Sequence, residues 1–339
     1  MADDYGLLRR IQRRPEIWLI GVIFIVGAFF SVTAPGFLTI ANFVDLLESY
    51  SVQAILALGL FVVLVSGGID ISFAATASVS QYVAAMLATQ AQMPGIVCIG
   101  AGLLIGTTLG CLNAVLIHFI RITSIIASIA AMSVTFSFLM YFSGGKSIYN
   151  LPDWWTDRIV FWQWEDEAGD LTRITLPIVA MVVAALFTSL MMTRSTVGRQ
   201  IYAMGGNGEA ARRVGANIAV LHFVAYGFLG FMAGLAGLLQ AHLVGESVPS
   251  AMYGSELAVL SAAVLGGASL SGGIGTVPGV LCGIVLLAML QNGLNLLGIS
   301  SYFFQIVIGF VILISTSITV LSSRKRRRHR NPSAGLVHG

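Results

Sequence analysis

The sequence predicts an all-α, polytopic membrane protein with about ten transmembrane helices, and three observations carry that prediction. Of the 339 residues, 57% are hydrophobic and 10% charged, with a mean hydropathy of +0.89, outside the range of soluble domains. Apolar stretches near the roughly 20 residues needed to cross a bilayer recur along the whole chain. Lysines and arginines punctuate those stretches so that almost all of them fall on one side of the membrane.

In chain order the expected spans are 17–32, 46–65, 75–90, 95–119, 124–142, 174–192, 218–242, 257–270, 277–297 and 302–321, forming one polytopic helical domain over 17–321. The first follows arginines as a signal peptide would, but it ends in bulky Phe29 and Phe30 without a small-residue cleavage site, so it reads as a retained span. The third and eighth are short, as tilted, broken or re-entrant segments are. Cys98, Cys111 and Cys282 sit inside apolar stretches without ligand spacing and read as packing residues.

With both termini cytoplasmic, all but three of the 18 basic residues are inside: Arg9, Arg10, Arg13 and Arg14 in the 1–16 segment, then Arg121, Arg194, Arg199, Arg212, Arg213 and the run 324–330. Lys146, Arg158 and Arg173 remain outside, in the polar connection 143–173. That connection is acidic and carries Trp154, Trp155, Trp162 and Trp164, which suit an interfacial belt or, alternatively, a docking surface for an extracytoplasmic partner. The basic tail 322–339, with "RKRRRHR", follows a span directly and reads as a topology anchor and contact for anionic membrane lipid, not as a nucleic-acid patch.

Motifs for covalent chemistry fail on context. "GGKS" at 144–147 lacks the first glycine and the preceding strand of a phosphate loop, and "GNGEAA" at 206–211 lacks the strand and acidic partner of a dinucleotide fingerprint. The five histidines have no metal-ligand spacing. No cofactor, metal or catalytic residue is expected.

One polar segment interrupts the apolar pattern, "GRQIYAMGGNGEAARRVGAN" at 198–217, within a connection spanning 194–217. Asn207 is suited to cap a helix, with Gly208 and Glu209 in its first turn, Arg212 and Arg213 in its last, and Gly215 placed to stop it. A helix of about two turns, roughly 10 Å, is marginal alone and must be stabilised by docking. It either packs on its own membrane domain as a connector or enters a separate cytoplasmic protein, which a transporter without an ATP site would need. Ala210 and Ala211 would allow a partner close approach.

The same segment, together with "SVQAILALGLFVVLVSGGIDIS" at 51–72 and "ELAVLSAAVLGGASLSGGIGTVPGVLCGIVLLAMLQNGLNLLGISSY" at 256–302, resembles the permease subunits of the ribose-type branch of bacterial ATP-binding-cassette importers. The resemblance runs over roughly residues 38–320. It implies a type II-like importer permease in the inner membrane, paired with a second copy or paralogue. It further implies a separate ATP-binding-cassette ATPase subunit at 207–215, which alone hydrolyses ATP, and a periplasmic binding protein that delivers a monosaccharide or small polyol. Phe73-Ala74-Ala75 departs from the glycine usual after the "GIDLS" element, and Ser124 lies where a proline is frequent.

Asp70 is the costliest residue in this reading. A carboxylate near mid-membrane costs about 2.5–3.5 kcal/mol on insertion scales, and Gly67 and Gly68 beside it suggest a helix break. It either caps the next span or forms a polar wall of the path. Gln53, Asn113, Glu256, Asn292 and Asn295 complete the candidate path, with Gln240 and Gln291 as further polar residues; each alternatively serves interhelical hydrogen bonding. A second functional class, a self-sufficient secondary transporter with Asp70 as ion or proton site, stands against the importer. "SGGI" occurs twice, at 66–69 and 271–274, both at expected cytoplasmic ends of spans.

Overall fold

The computed structural model describes residues 15–165, 171–300, 303–306 and 309–310. The basic tail and most of the expected tenth span lie outside the described residues, as does most of the N-terminal segment. The chain forms α1 (Pro15–Thr33), α2 (Ile40–Val65), α3 (Phe73–Thr89), α4 (Gly95–His118), α5 (Ser124–Ser143) and a single turn α6 (Asp153–Thr156). Strands β1 (Val160–Glu165) and β2 (Leu171–Thr175) follow, then α7 (Leu176–Arg194), α8 (Thr196–Gly206), α9 (Gly208–Arg213), α10 (Ile218–Val244), α11 (Glu256–Leu265) and α12 (Val277–Leu296).

Six of these helices, α2, α4, α5, α7, α10 and α12, are long and apolar enough to cross a membrane, and shorter apolar helices cover Trp18–Thr33 and Glu256–Leu265. The expected spans thus reappear as helices up to the ninth. The eighth shortens to the ten residues of α11, because the glycine-rich chain after Leu265 turns away with Gly267, Gly272, Gly273 and Gly275 at positive φ.

The centre of the fold is α2, whose side chains from Ala54 to Val65 are all buried. It packs on α7, α10, α11 and α12, while α10 also packs on α3 and α4. Lipid is as apolar as leucine, so burial of apolar area does not by itself hold such helices together; close packing does. Gly102, Gly106 and Gly110 repeat every four residues on α4 and meet Gly230 and Gly234 of α10. A Cβ on Gly106 would lie 2.3 Å from the Gly230 carbonyl oxygen, and one on Gly230 would lie 2.2 Å from that of Gly106.

Two ends are distinguished by what they gather. The basic end holds the C-termini of α2, α4 and α7, both short helices α8 and α9, and the turn 266–276. The opposite, hairpin end holds β1 and β2, which pair antiparallel with Trp162 opposite Ile174 and Gln163 opposite Arg173. Among the described residues this strand pair and an isolated bridge between Ile148 and Ser247 depart from the all-α pattern. Strand β2 leans on α2, which buries Thr172 and Thr175. Trp155 is not a belt residue: at 5% exposure it donates its indole N–H to the Leu238 carbonyl at 3.1 Å, and its own carbonyl lies 2.5 Å from His242 Nδ1. Trp154 stacks on it, and Trp162 is 66% exposed.

Candidate functional site

After Val65 the chain leaves the helix and crosses to α3 through residues 66–72, with Gly67 at φ +91°. Within this break Asp70 is 1% exposed. Its Oδ1 accepts from the Ser72 backbone N–H at 2.8 Å and the Ser72 hydroxyl at 2.7 Å, and its Oδ2 accepts from Asn113 Nδ2 at 2.9 Å. Asn113 also donates to Ser72 Oγ at 2.8 Å. The carboxylate therefore ties the start of α3 to α4. Along the bundle it lies toward the basic end. Asn113 is only five residues from His118 at the end of α4, roughly 8 Å at helical rise. The neighbouring Ile69 N–H bonds Ser124 Oγ, at the first residue of α5. The reason is that α2 stays helical to Val65, so the break falls near the basic end.

Both copies of "SGGI" meet there, with the end of α8 between them. The Gly273 N–H donates to the Val65 carbonyl at 2.8 Å. A Cβ on Gly205 would lie 1.9 Å from that same oxygen and 2.6 Å from Gly273 N, and one on Gly272 would be 2.7 Å from the Gly67 Cα. Three backbones touch with no room for a methyl group. Gly206, the next residue, has nothing within 4 Å of its would-be Cβ.

Directly beyond this joint lies α9. Asn207 caps it, with its side-chain oxygen accepting from the Ala210 N–H at 3.0 Å. Gly215 at φ +91° ends it, with its N–H donating to the Arg212 carbonyl at 3.1 Å. Glu209, Ala210, Arg212 and Arg213 are exposed and Val214 is 84% exposed. Ala211 corrects the expectation made for it. It is 3% exposed and joins the buried cluster of Ile201, Met204, Ala216 and Leu221, because at the centre of a six-residue helix one face must rest on the domain. Ala210 alone of the two alanines offers its methyl outward.

At the hairpin end, α2 and α12 enclose an opening of about 300 Å³ lined by Asp45, Ser49, Tyr50, Gln291, Asn292 and Asn295, with Phe304 on its apolar side. Asn42 and Asn292 exchange hydrogen bonds of 3.1 and 2.9 Å, and Tyr50 donates its hydroxyl to Gln291 Oε1. Nearby on α2, buried Glu48 receives Arg158 from the hairpin connection at 3.3 Å.

The candidate path residues thus fall into two groups. Asp70 and Asn113 share one network at the basic end; Asn292 and Asn295 line one opening at the other. Half-buried Gln53 and Glu256, which is 8% exposed, neither line that opening nor bond to Asp70. Sequence reasoning passed over Ser72, Asp45, Ser49 and Tyr50. Asp45 and Ser49 are four apart on α2, and that spacing was the available signal for a polar face.

A bundle of apolar helices with a polar opening at one end and a short charged helix at the other defines a polytopic membrane permease. The chain belongs to the family described as the permease component of branched-chain amino acid transport systems, whose model matches residues 42–316. It is 32% identical to the ribose import permease protein RbsC of Escherichia coli K12 over 296 residues, 87% of this chain and 91% of that protein. It is also 30% identical to the L-arabinose transporter permease protein AraH of Azospirillum brasilense over 325 residues, 96% of this chain and 91% of that one. To the D-allose transport system permease protein AlsC of Escherichia coli K12 it is 28% identical over 300 residues. The chain is accordingly a multi-pass inner-membrane permease component of an ATP-binding-cassette importer and not the subunit that hydrolyses ATP.

Proposed function

We propose that this permease passes a monosaccharide or related small polyol inward, with a periplasmic binding protein delivering it and a cytoplasmic ATPase bound at α9. The relatives named for ribose, arabinose and allose support the substrate class. The observation that carries the coupling role is α9 itself. Ala211 fixes its inner face, while Glu209, Ala210, Arg212, Arg213 and Val214 stand outward together beside a backbone joint. An exposed valine beside two arginines suits a groove with an apolar floor and acidic rim. Displacement of α8 and α9 presses through Gly205 on both breaks, 66–72 and 266–276. The domain division follows: 17–321 carries transport, 194–217 couples, 143–173 faces the periplasm, and 1–16 and 322–339 lie in the cytoplasm, the latter against anionic lipid. A second permease copy or paralogue completes the path. Within it Gln53 and Glu256 serve as polar contacts between the two groups of path residues.

The test is uptake in proteoliposomes holding the permease, its ATPase and the binding protein. Uptake is expected to follow ATP and the loaded binding protein and to ignore proton and sodium gradients. Gradient-driven uptake by the purified permease alone would return Asp70 to the role of an ion site and reject the importer reading.

A further inference from the structure

The opening between α2 and α12 has a feature that helix packing does not require. Three of its polar side chains are already engaged: Asn292 with Asn42 beside the opening, and Tyr50 with Gln291. These bonds lock the two helices at a fixed spacing. The side chains of Asp45, Ser49 and Asn295 are exposed and bond to no described group, and all three line the same space of about 300 Å³. Asp45 and Ser49 are four apart on α2 and Gln291 and Asn295 four apart on α12, so two polar ladders face each other. Phe304, 9% exposed, closes the space with an apolar surface.

We propose that this opening is a receiving site for one neutral monosaccharide, a deepening that rests on the sugar-importer reading above. The donor set selects the class. A carboxylate accepts hydrogen bonds from two hydroxyls, whereas an amide and a hydroxyl both donate and accept, which matches a ligand whose every polar group is itself a hydroxyl. Asp45 repels an anion, and one acid with no second is a poor host for a dication. The volume lies at the lower end of the roughly 300–1,000 Å³ of small-molecule pockets, the scale of one sugar ring with water and not of an oligosaccharide. Phe304 offers its ring to the C–H face of the sugar. The rigid frame and the three loose polar groups together give a site that orients its ligand while staying wet enough to release it.

The experiment uses the permease–ATPase complex in nanodiscs and a panel of D-ribose, L-arabinose, D-galactose and D-allose, read by saturation-transfer NMR, with uptake measured in parallel in proteoliposomes with the binding protein. At least one sugar is expected to receive saturation from the wild type. Asp45→Asn, which keeps the shape, should weaken its binding about tenfold, the scale of a lost hydrogen bond to a charged group. Asn295→Ala should weaken it by a smaller factor, and Phe304→Leu should reduce the saturation of the C–H protons specifically. ATPase co-purification reports that each variant is assembled, and Ser49→Ala serves where Asp45→Asn is not. Equal binding in wild type and assembled variants, alongside ATP-driven uptake of the sugar, overturns this site and leaves the importer reading intact. Failure of the wild type to take up any sugar of the panel with ATP and loaded binding protein overturns both.

Discussion

The two ends of the molecule are built on opposite rules. At the basic end Gly205, Gly272 and Gly273 bring three backbone segments together without space for one methyl group, and the nearest polar network, buried Asp70 with Ser72 and Asn113, bonds within itself. At the hairpin end the exposed side chains of Asp45, Ser49 and Asn295 line an opening of about 300 Å³ and bond to no described group. A gapless joint transmits displacement because packed interiors resist compression; an open polar space does not transmit but can hold solvent or solute. The difference teaches that polarity inside a membrane protein has two uses, and that hydrogen-bond completeness tells them apart.

The sharpest way to break this comparison is to add bulk at the joint. Gly205→Val should cost at least the roughly 1–3 kcal/mol of overpacking, since its Cβ would lie 1.9 Å from the Val65 oxygen, whereas Gly206→Ala, with open space around it, should be close to neutral. Thermal unfolding in detergent measures both, and equal tolerance at the two glycines would show that the joint is not tight. Next in size, Asp70→Ala strands donors on Ser72 and Asn113 and should cost about 1–3 kcal/mol in stability. Asp70→Asn should cost less and leave uptake dependent on ATP, a point that direct uptake assays settle. The smallest effect is expected from Arg212→Ala, which removes an exposed charge: co-purification with the ATPase should weaken modestly and become more sensitive to salt. Salt-independent assembly of that variant would remove Arg212 from the contact.

Much of the fold was legible because span length is set by the bilayer, and helix starts and stops carry signals of their own; Asn207 and Gly215 bound α9 as their chemistry requires. Which helices are central was not legible. The apolar stretch of α2 is 83% buried and that of α5 17%, yet both are uniformly apolar, because lipid and protein core select the same side chains. The amphipathic stripe that reveals an inner face in soluble helices is absent. For the same reason the partnership of α2 with α12 around the polar opening was half seen: Asn292 and Asn295 stood out, whereas Asp45 and Ser49 were passed over. The two copies of "SGGI" were visible as a repeat, but their meeting at Gly205 depends on tertiary contacts that no local pattern encodes. Ala211 was assigned outward because small size suits both a partner and the protein's own core, and only burial separates the two.

That separation also gives the most direct test of the coupling role. In a variant with Cys98, Cys111 and Cys282 replaced, single cysteines are introduced as Ala210→Cys and Ala211→Cys and modified with a short maleimide photocrosslinker in the assembled transporter. The exposed position 210 is expected to label and to crosslink to the ATPase subunit, with the yield changing on addition of ATP, while buried position 211 should label poorly and crosslink only within the permease. Ready labelling at 210 with no crosslink to the ATPase in a complex that still couples ATP to uptake would contradict the account, leaving α9 as a connector on its own domain.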